Sequence, residues 1–194
     1  ACGCPRTASR PNAGLSTHGT PKRSTALDRW RARHGMASSP ACMIRLLDAK
    51  IAIVELELVV AAPKKRVWNA IVDETSLWWR KDFYVGKRPK GMVFEPRVGG
   101  RMYEDWGDGA GVLWATVFGI AHETWFDLRG EIAPSFGGPR TWQLHLELKP
   151  HPQGTLVKLV ASSIGKIDAE GAQAVRDGWE MLFGEGGLKG FVAS

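Results

Sequence analysis

Apolar and polar positions settle into a regular rhythm only from Ile51 onward. Over Ile51–Val60, Val54, Leu56, Leu58 and Val60 alternate with Ile53, Glu55, Glu57 and Val59, a period of two that predicts a strand with one buried face. The period then changes. Pro63 suits the first turn of a helix, and Val67, Trp68, Ile71 and Val72 recur at helical spacing before Ser76-Leu77-Trp78-Trp79 opens a second short turn. Six β-rich runs follow: Met92–Pro96, Arg101–Trp106, Val112–Ala121, Glu123–Arg129, Thr141–Lys149 and Thr155–Ile164. They are separated by Val98-Gly99-Gly100, Gly107-Asp108-Gly109-Ala110-Gly111 and Pro152-Gln153-Gly154, which read as hairpin connections. Within Thr141–Lys149, Trp142, Leu144, Leu146 and Leu148 face one way and Gln143, His145 and Glu147 the other, as in an antiparallel sheet wet on one side. The final segment carries Ala172, Val175, Trp179, Leu182 and Phe183 at spacings of three and four, one apolar stripe on a helix starting near Asp168. The expected fold class is α+β: a curved antiparallel β-sheet wrapped around a long C-terminal helix, with two short helices after the first strand.

The segment before this pattern is different in kind. Residues 1–41 hold only four large apolar side chains, Leu15, Leu27, Trp30 and Met36, too few to offset chain entropy, so a basic, disordered N-terminal segment is expected there and one domain over residues 51–194. Charge is divided the same way. Residues 1–50 carry nine Lys/Arg against two Asp/Glu, net +7, and residues 51–194 carry 17 against 18, net −1. A nucleic-acid reader needs its basic stripe on the folded surface, and no nucleic-acid partner is expected. The Arg- and Ser-rich composition of the segment leaves three readings: translated upstream sequence with no role, which the Met residues ahead of the first strand favour, an organellar transit peptide, or a basic docking arm. No run of about 18 apolar residues occurs, so no membrane span is expected, and the cytoplasm is the expected compartment.

Chemistry-bearing motifs are sparse. The cysteines Cys2, Cys4 and Cys42 lie at or before the edge of the patterned region, and the Cys2/Cys4 pair has no partner pair at zinc spacing, so neither a disulfide framework nor a metal site is expected. Gly107, Gly109 and Gly111 mimic a phosphate loop, but a strand follows them instead of a helix, and the run reads as a turn. Candidates for acid–base work are Glu104, Asp105, Glu123, Asp127, His122 and His145, of which Glu104 shares a strand face with Met102 and Trp106 and is expected to point inward. A buried, hydrogen-bonded Glu104 would favour catalysis. No catalytic constellation is recognisable, and no cofactor is expected. Lys64-Lys65-Arg66 opposes a helix dipole at its N-terminus, which suits plain solvent exposure or an acidic docking partner.

Four phrases carry a resemblance: Val67-Trp68-Asn69-Ala70-Ile71, Leu77-Trp78-Trp79, Glu95-Pro96-Arg97-Val98-Gly99-Gly100-Arg101 and Gly178-Trp179-Glu180-Met181-Leu182. In this order they resemble the START-like (SRPBCC, Bet v 1-like) helix-grip superfamily, and within it the branch similar to the C-terminal domain of the heat-shock-protein-90 ATPase activator. The resemblance implies a cavity between sheet and C-terminal helix, used across the superfamily for lipids, sterols, polyketides and other apolar molecules. The activator also uses a separate N-terminal domain, which residues 1–41 are too short and too polar to supply. With so many indoles available, each an apolar body with one N–H donor, the set expected to line the cavity is Trp79, Tyr103, Glu104, Trp106, Trp114, Trp142, Trp179 and Phe183. The expected function is binding of a small hydrophobic or amphipathic molecule. The alternatives are a chaperone-related protein-interaction module and a polyketide cyclase- or aromatase-type enzyme.

Overall fold

The computed structural model describes residues 44–193 and, before them, only Arg29 and Arg33. Expectations for the N-terminal segment and for Cys2, Cys4 and Cys42 lie outside these residues. The chain divides into two units at Arg45/Leu46, and the second holds every element below. Strand β1 (Lys50–Val60) is followed by helices α1 (Lys64–Val72) and α2 (Thr75–Trp78). Six strands come next: β2 (Gly91–Phe94), β3 (Arg101–Gly107), β4 (Ala110–Ala121), β5 (Trp125–Ile132), β6 (Arg140–His151) and β7 (Gly154–Gly165). Helix α3 (Ala169–Phe183) and a short helix α4 (Leu188–Ala193) complete the chain. All strand pairings are antiparallel, in the order β1-β7-β6-β5-β4-β3-β2, so β1 crosses over to pair with β7 and the helix pair fills the crossover.

The helix pair is held by its own end groups. The last carbonyls of a helix have no partner within it, and here α2 supplies them. The Trp78 indole N–H donates to the Ala70 carbonyl at 2.7 Å, and the Thr75 hydroxyl donates to the Ile71 carbonyl at 2.5 Å. Trp78 is thereby buried against Trp79 and Phe183, with ring centroids 5.7 and 5.8 Å away. Arg66, at the basic start of α1, is ion-paired with Glu74 at 2.8 Å and lies over the Phe191 ring of α4 at 5.3 Å, a packing task for a residue whose charge alone suggested solvent or a partner.

The Glu95–Arg101 phrase is a loop closure between β2 and β3. The Glu95 carboxylate accepts from the Arg101 backbone N–H at 3.0 Å and from its guanidinium at 3.1 and 2.6 Å, while Gly99 and Gly100 hydrogen-bond across to Val117. The hydrogen bond from Arg101 holds the Glu95 carboxyl below the ordinary glutamate range. A depressed carboxyl contributes to stability above its unfolded-state value and loses that contribution as pH falls through the lowered one, so this closure persists into acid where an unpaired glutamate is already protonated.

At the C-terminal end, Asp168 caps α3, its carboxylate accepting from the Gly171 N–H at 2.8 Å. Asp168→Ala is expected to cost about 1 kcal/mol, the usual value of an N-cap, read as a shift in denaturant midpoint. Leu182 and Phe183 are buried in the core, and Ala172, Val175 and Trp179 are half-buried. The stripe on α3 is therefore graded: its C-terminal end is packed and its middle stands over a gap.

Candidate functional site

That gap is a cavity of about 230 Å³ between the inner face of the sheet and the middle of α3. Its floor comes from β6 and β7 through Trp142, Ala161 and Ser163, its roof from α3 through Val175, Gly178 and Trp179, and its walls from Trp79, Phe83, Trp114 and Arg140. For scale, an engineered apolar cavity of about 150 Å³ holds a benzene molecule.

Local structure explains why indoles gather there. Trp114 is passed over in the pairing between β3 and β4, since Met102 lies opposite Ala115 and Tyr103 opposite Leu113. This bulge turns Trp114 onto the same side as its neighbour Ala115. The Trp142 ring lies on the sheet because residue 130, directly across in β5, is glycine. A Cβ there would stand 2.5 Å from Trp142 Nε1 and 2.0 Å from the Trp114 carbonyl oxygen. Trp179 meets Trp142 at 6.2 Å between centroids, so α3 and β6 face each other through two indoles.

Of the residues expected to line the cavity, Trp79, Trp114, Trp142 and Trp179 do so. Phe183 sits beneath it in the packed core, 6.0 Å from Trp179. The other three are elsewhere. Tyr103 points to the opposite face of β3, where the Arg101 guanidinium covers its ring at 4.8 Å, because alternation that puts Met102 and Glu104 inside puts Tyr103 outside. Trp106 is the residue passed over at the shift in pairing between Asp105 and Gly107, is 39% exposed, and rests on Gly86, where a Cβ would meet Nε1 at 2.3 Å.

Glu104 is fully buried, and its position answers the catalytic expectation. Its carboxylate accepts from the Val85 and Gly86 amides at 3.0 and 2.7 Å and from the Trp106 indole at 2.7 Å, and it is not part of the cavity wall. Burial and hydrogen bonding here mark a strut that pins the loop before β2 to β3. They do not distinguish an enzyme from a binding protein. The remaining acid–base candidates are also away from the cavity. Asp105 bonds the Gly107 N–H at 2.7 Å; Asp127 and His145 pair at 2.7 Å on the outer face; His122 is exposed with its ring edge-on to Trp68; Glu123 occupies a turn at φ +57°.

Sequence reasoning missed Arg140. It lines the cavity as the first residue of β6 and stands on the same strand face as Trp142 and Leu144. The signal was present, since carrying the alternation of Trp142, Leu144, Leu146 and Leu148 back by two residues places a cation on an apolar face. Among the described residues Arg140 has no ion pair, and its Nε is buried without a hydrogen-bond partner. The Nε1 atoms of Trp79, Trp114 and Trp142 are buried and unpartnered as well, in contrast to those of Trp78 and Trp106. No Asp, Glu or His lines the cavity. Among the described residues no cluster of three or more His, Cys, Asp or Glu could hold a metal, and no helix is long and apolar enough to cross a membrane.

No family model matches the chain, and no curated protein does. Solved structures do resemble it. An uncharacterised protein from Rhizobium leguminosarum is similar over 75% of this chain and 97% of its own, with 18% identity and a TM-score of 0.58. Protein Mll3558 from Rhizobium loti is similar over 71% and 95%, with 20% identity and a TM-score of 0.55. Ara h 8.0201 is similar over 74% and 99%, with 15% identity and a TM-score of 0.56. At such identities the likeness speaks for architecture, and together with the seven-stranded sheet closed by α3 it establishes a Bet v 1-like helix-grip fold.

Proposed function

We propose that the protein binds a small apolar or amphipathic molecule in the cavity between sheet and α3. The observation that carries this reading is the cavity itself, walled by four indoles at the one place where the stripe of α3 leaves the packed core. Concave, mostly apolar sites with a few polar groups are what small-molecule recognition uses. Binding is favoured over conversion, because a cyclase needs a group to move protons and no carboxylate or imidazole reaches this wall. The phrases that resemble the chaperone-activator branch have structural tasks here: Trp78 caps α1, and Glu95 closes a loop. They support a shared architecture and give no separate argument for a chaperone partner.

Native mass spectrometry of the purified full chain tests the proposal. A co-purifying species of a few hundred daltons, lost on denaturation, is the expected result. Its absence, together with no binding of any apolar probe, overturns the reading in favour of a protein-interaction module.

A further inference from the structure

The wall of the cavity is mostly apolar, and its one charged side chain is a cation. Arg140 brings a cation to a surface otherwise made of indoles, the Phe83 ring, the Met102 thioether, aliphatic groups and the Ser163 hydroxyl, and among the described residues it has no carboxylate to neutralise it. Arg140 is half-buried, but its Nε is sealed without a partner, and a polar group withdrawn from water without a hydrogen bond is costly unless a ligand matches it. Around it, the N–H groups of Trp79, Trp114 and Trp142 have no acceptor. Among its side chains the site therefore offers donors in excess and, as oxygen acceptor, only the Ser163 hydroxyl.

Resting on the reading that this cavity binds a small molecule, we propose that its ligand is an apolar carboxylic acid whose carboxylate is held by Arg140. A carboxylate accepts through two oxygens with about four lone-pair sites and fits a guanidinium in a two-point fork, so it can engage Arg140 and a neighbouring indole N–H together. A hydroxyl head, as in a sterol or an alcohol, offers one oxygen and leaves the charge unmatched. A single negative charge also matches the single cation. The size of the cavity sets the probe: about 230 Å³ accommodates one ring with a short chain, so an aryl-alkyl acid is the smallest ligand that fills it. Trp142 lies two residues along the same strand face from Arg140 and is placed to share the head group. The indole nitrogens are sealed from solvent in this arrangement, so they reach a ligand only through a small rotation of their rings, which tryptophan fluorescence reports.

The test compares 3-phenylpropionate with 3-phenylpropanol, equal in ring and chain, by fluorescence titration of the full chain near pH 7. The acid is expected to bind about tenfold or more tighter than the alcohol. Arg140→Gln is expected to bring the acid down to the alcohol's affinity and leave the alcohol within about twofold, with Arg140→Lys retaining part of the preference. Trp142→Phe, which keeps a ring but removes the N–H, is expected to weaken the acid selectively. Should Arg140→Gln not fold, as judged by its thermal melt, the two ligands on the unaltered protein and on Trp142→Phe still decide the matter. Equal affinities, or a preference for the acid that survives Arg140→Gln, overturn the carboxylate assignment and leave the cavity reading standing. Failure of both ligands to bind overturns the cavity reading as well.

Discussion

Trp78→Ala is expected to destabilise the domain by about 3 to 5 kcal/mol, the range for truncating a buried large aromatic. The side chain is 6% exposed, packs on both Trp79 and Phe183, and caps the Ala70 carbonyl near the end of α1 through its indole N–H. Two contributions are therefore lost together, the packing volume and a buried hydrogen bond. Trp78→Phe separates them: it keeps most of the volume and is expected to cost about 1 to 3 kcal/mol for the carbonyl left without its donor. Chemical denaturation of the three proteins measures both. Trp179→Ala provides the contrast, because Trp179 is only half-buried over the cavity and a smaller loss is expected from its truncation. A larger loss for Trp179 than for Trp78 would show that the helix lid, and not the helix pair, anchors the core.

Removing the carboxylate at residue 104 is the second large expected effect. Glu104→Ala leaves the Val85 and Gly86 amides without their acceptor, at about 1 to 3 kcal/mol for each orphaned donor, and a total loss of about 2 to 4 kcal/mol, in the lower part of that sum, is expected because Val85 is 43% exposed and its amide can reach water, as can the exposed Trp106 indole. Glu104→Gln keeps one acceptor oxygen for the Gly86 and Trp106 donors but sets an amide N–H₂ against Val85, so an intermediate loss is expected. The loop from Val85 should also become less protected in hydrogen exchange. A denaturant midpoint unchanged by Glu104→Ala would show that this carboxylate is not a strut, and would return it to consideration as a group held ready for chemistry.

How far the sequence could be read follows from what alternation and helical spacing encode. Both report which side of an element faces inward, and so the order of elements, the seven strands and the start of α3 at Asp168 were legible, to within a few residues at most ends. Neither reports what happens where the pattern is interrupted. The inward turn of Trp114 comes from a bulge, and the outward drift of Trp106 from a second shift in pairing, both invisible to a strict period of two. Tyr103 was assigned inward although its own neighbours Met102 and Glu104 already occupied that face. The short helix α4 has no counterpart in the sequence pattern, because its six residues after Gly186 and Gly187 are too few to display a helical period, yet Leu188 is completely buried. Burial of Glu104 was legible, but its task was not, since its partners are backbone amides 18 and 19 residues away.

Whether the cavity takes a ligand is measured most directly by titrating the full chain and Ala161→Leu with 3-phenylpropanol, a neutral probe that asks only whether the cavity accepts an apolar molecule. Ala161 is 5% exposed and lies on the cavity floor, so a leucine side chain there grows into the space the probe would take. With Trp79, Trp114, Trp142 and Trp179 on the wall, binding is expected to change intrinsic fluorescence saturably in the unaltered protein, and Ala161→Leu is expected to weaken it by about tenfold or more while folding normally. Saturable binding that Ala161→Leu leaves untouched would place the ligand elsewhere and contradict a binding site between the sheet and α3.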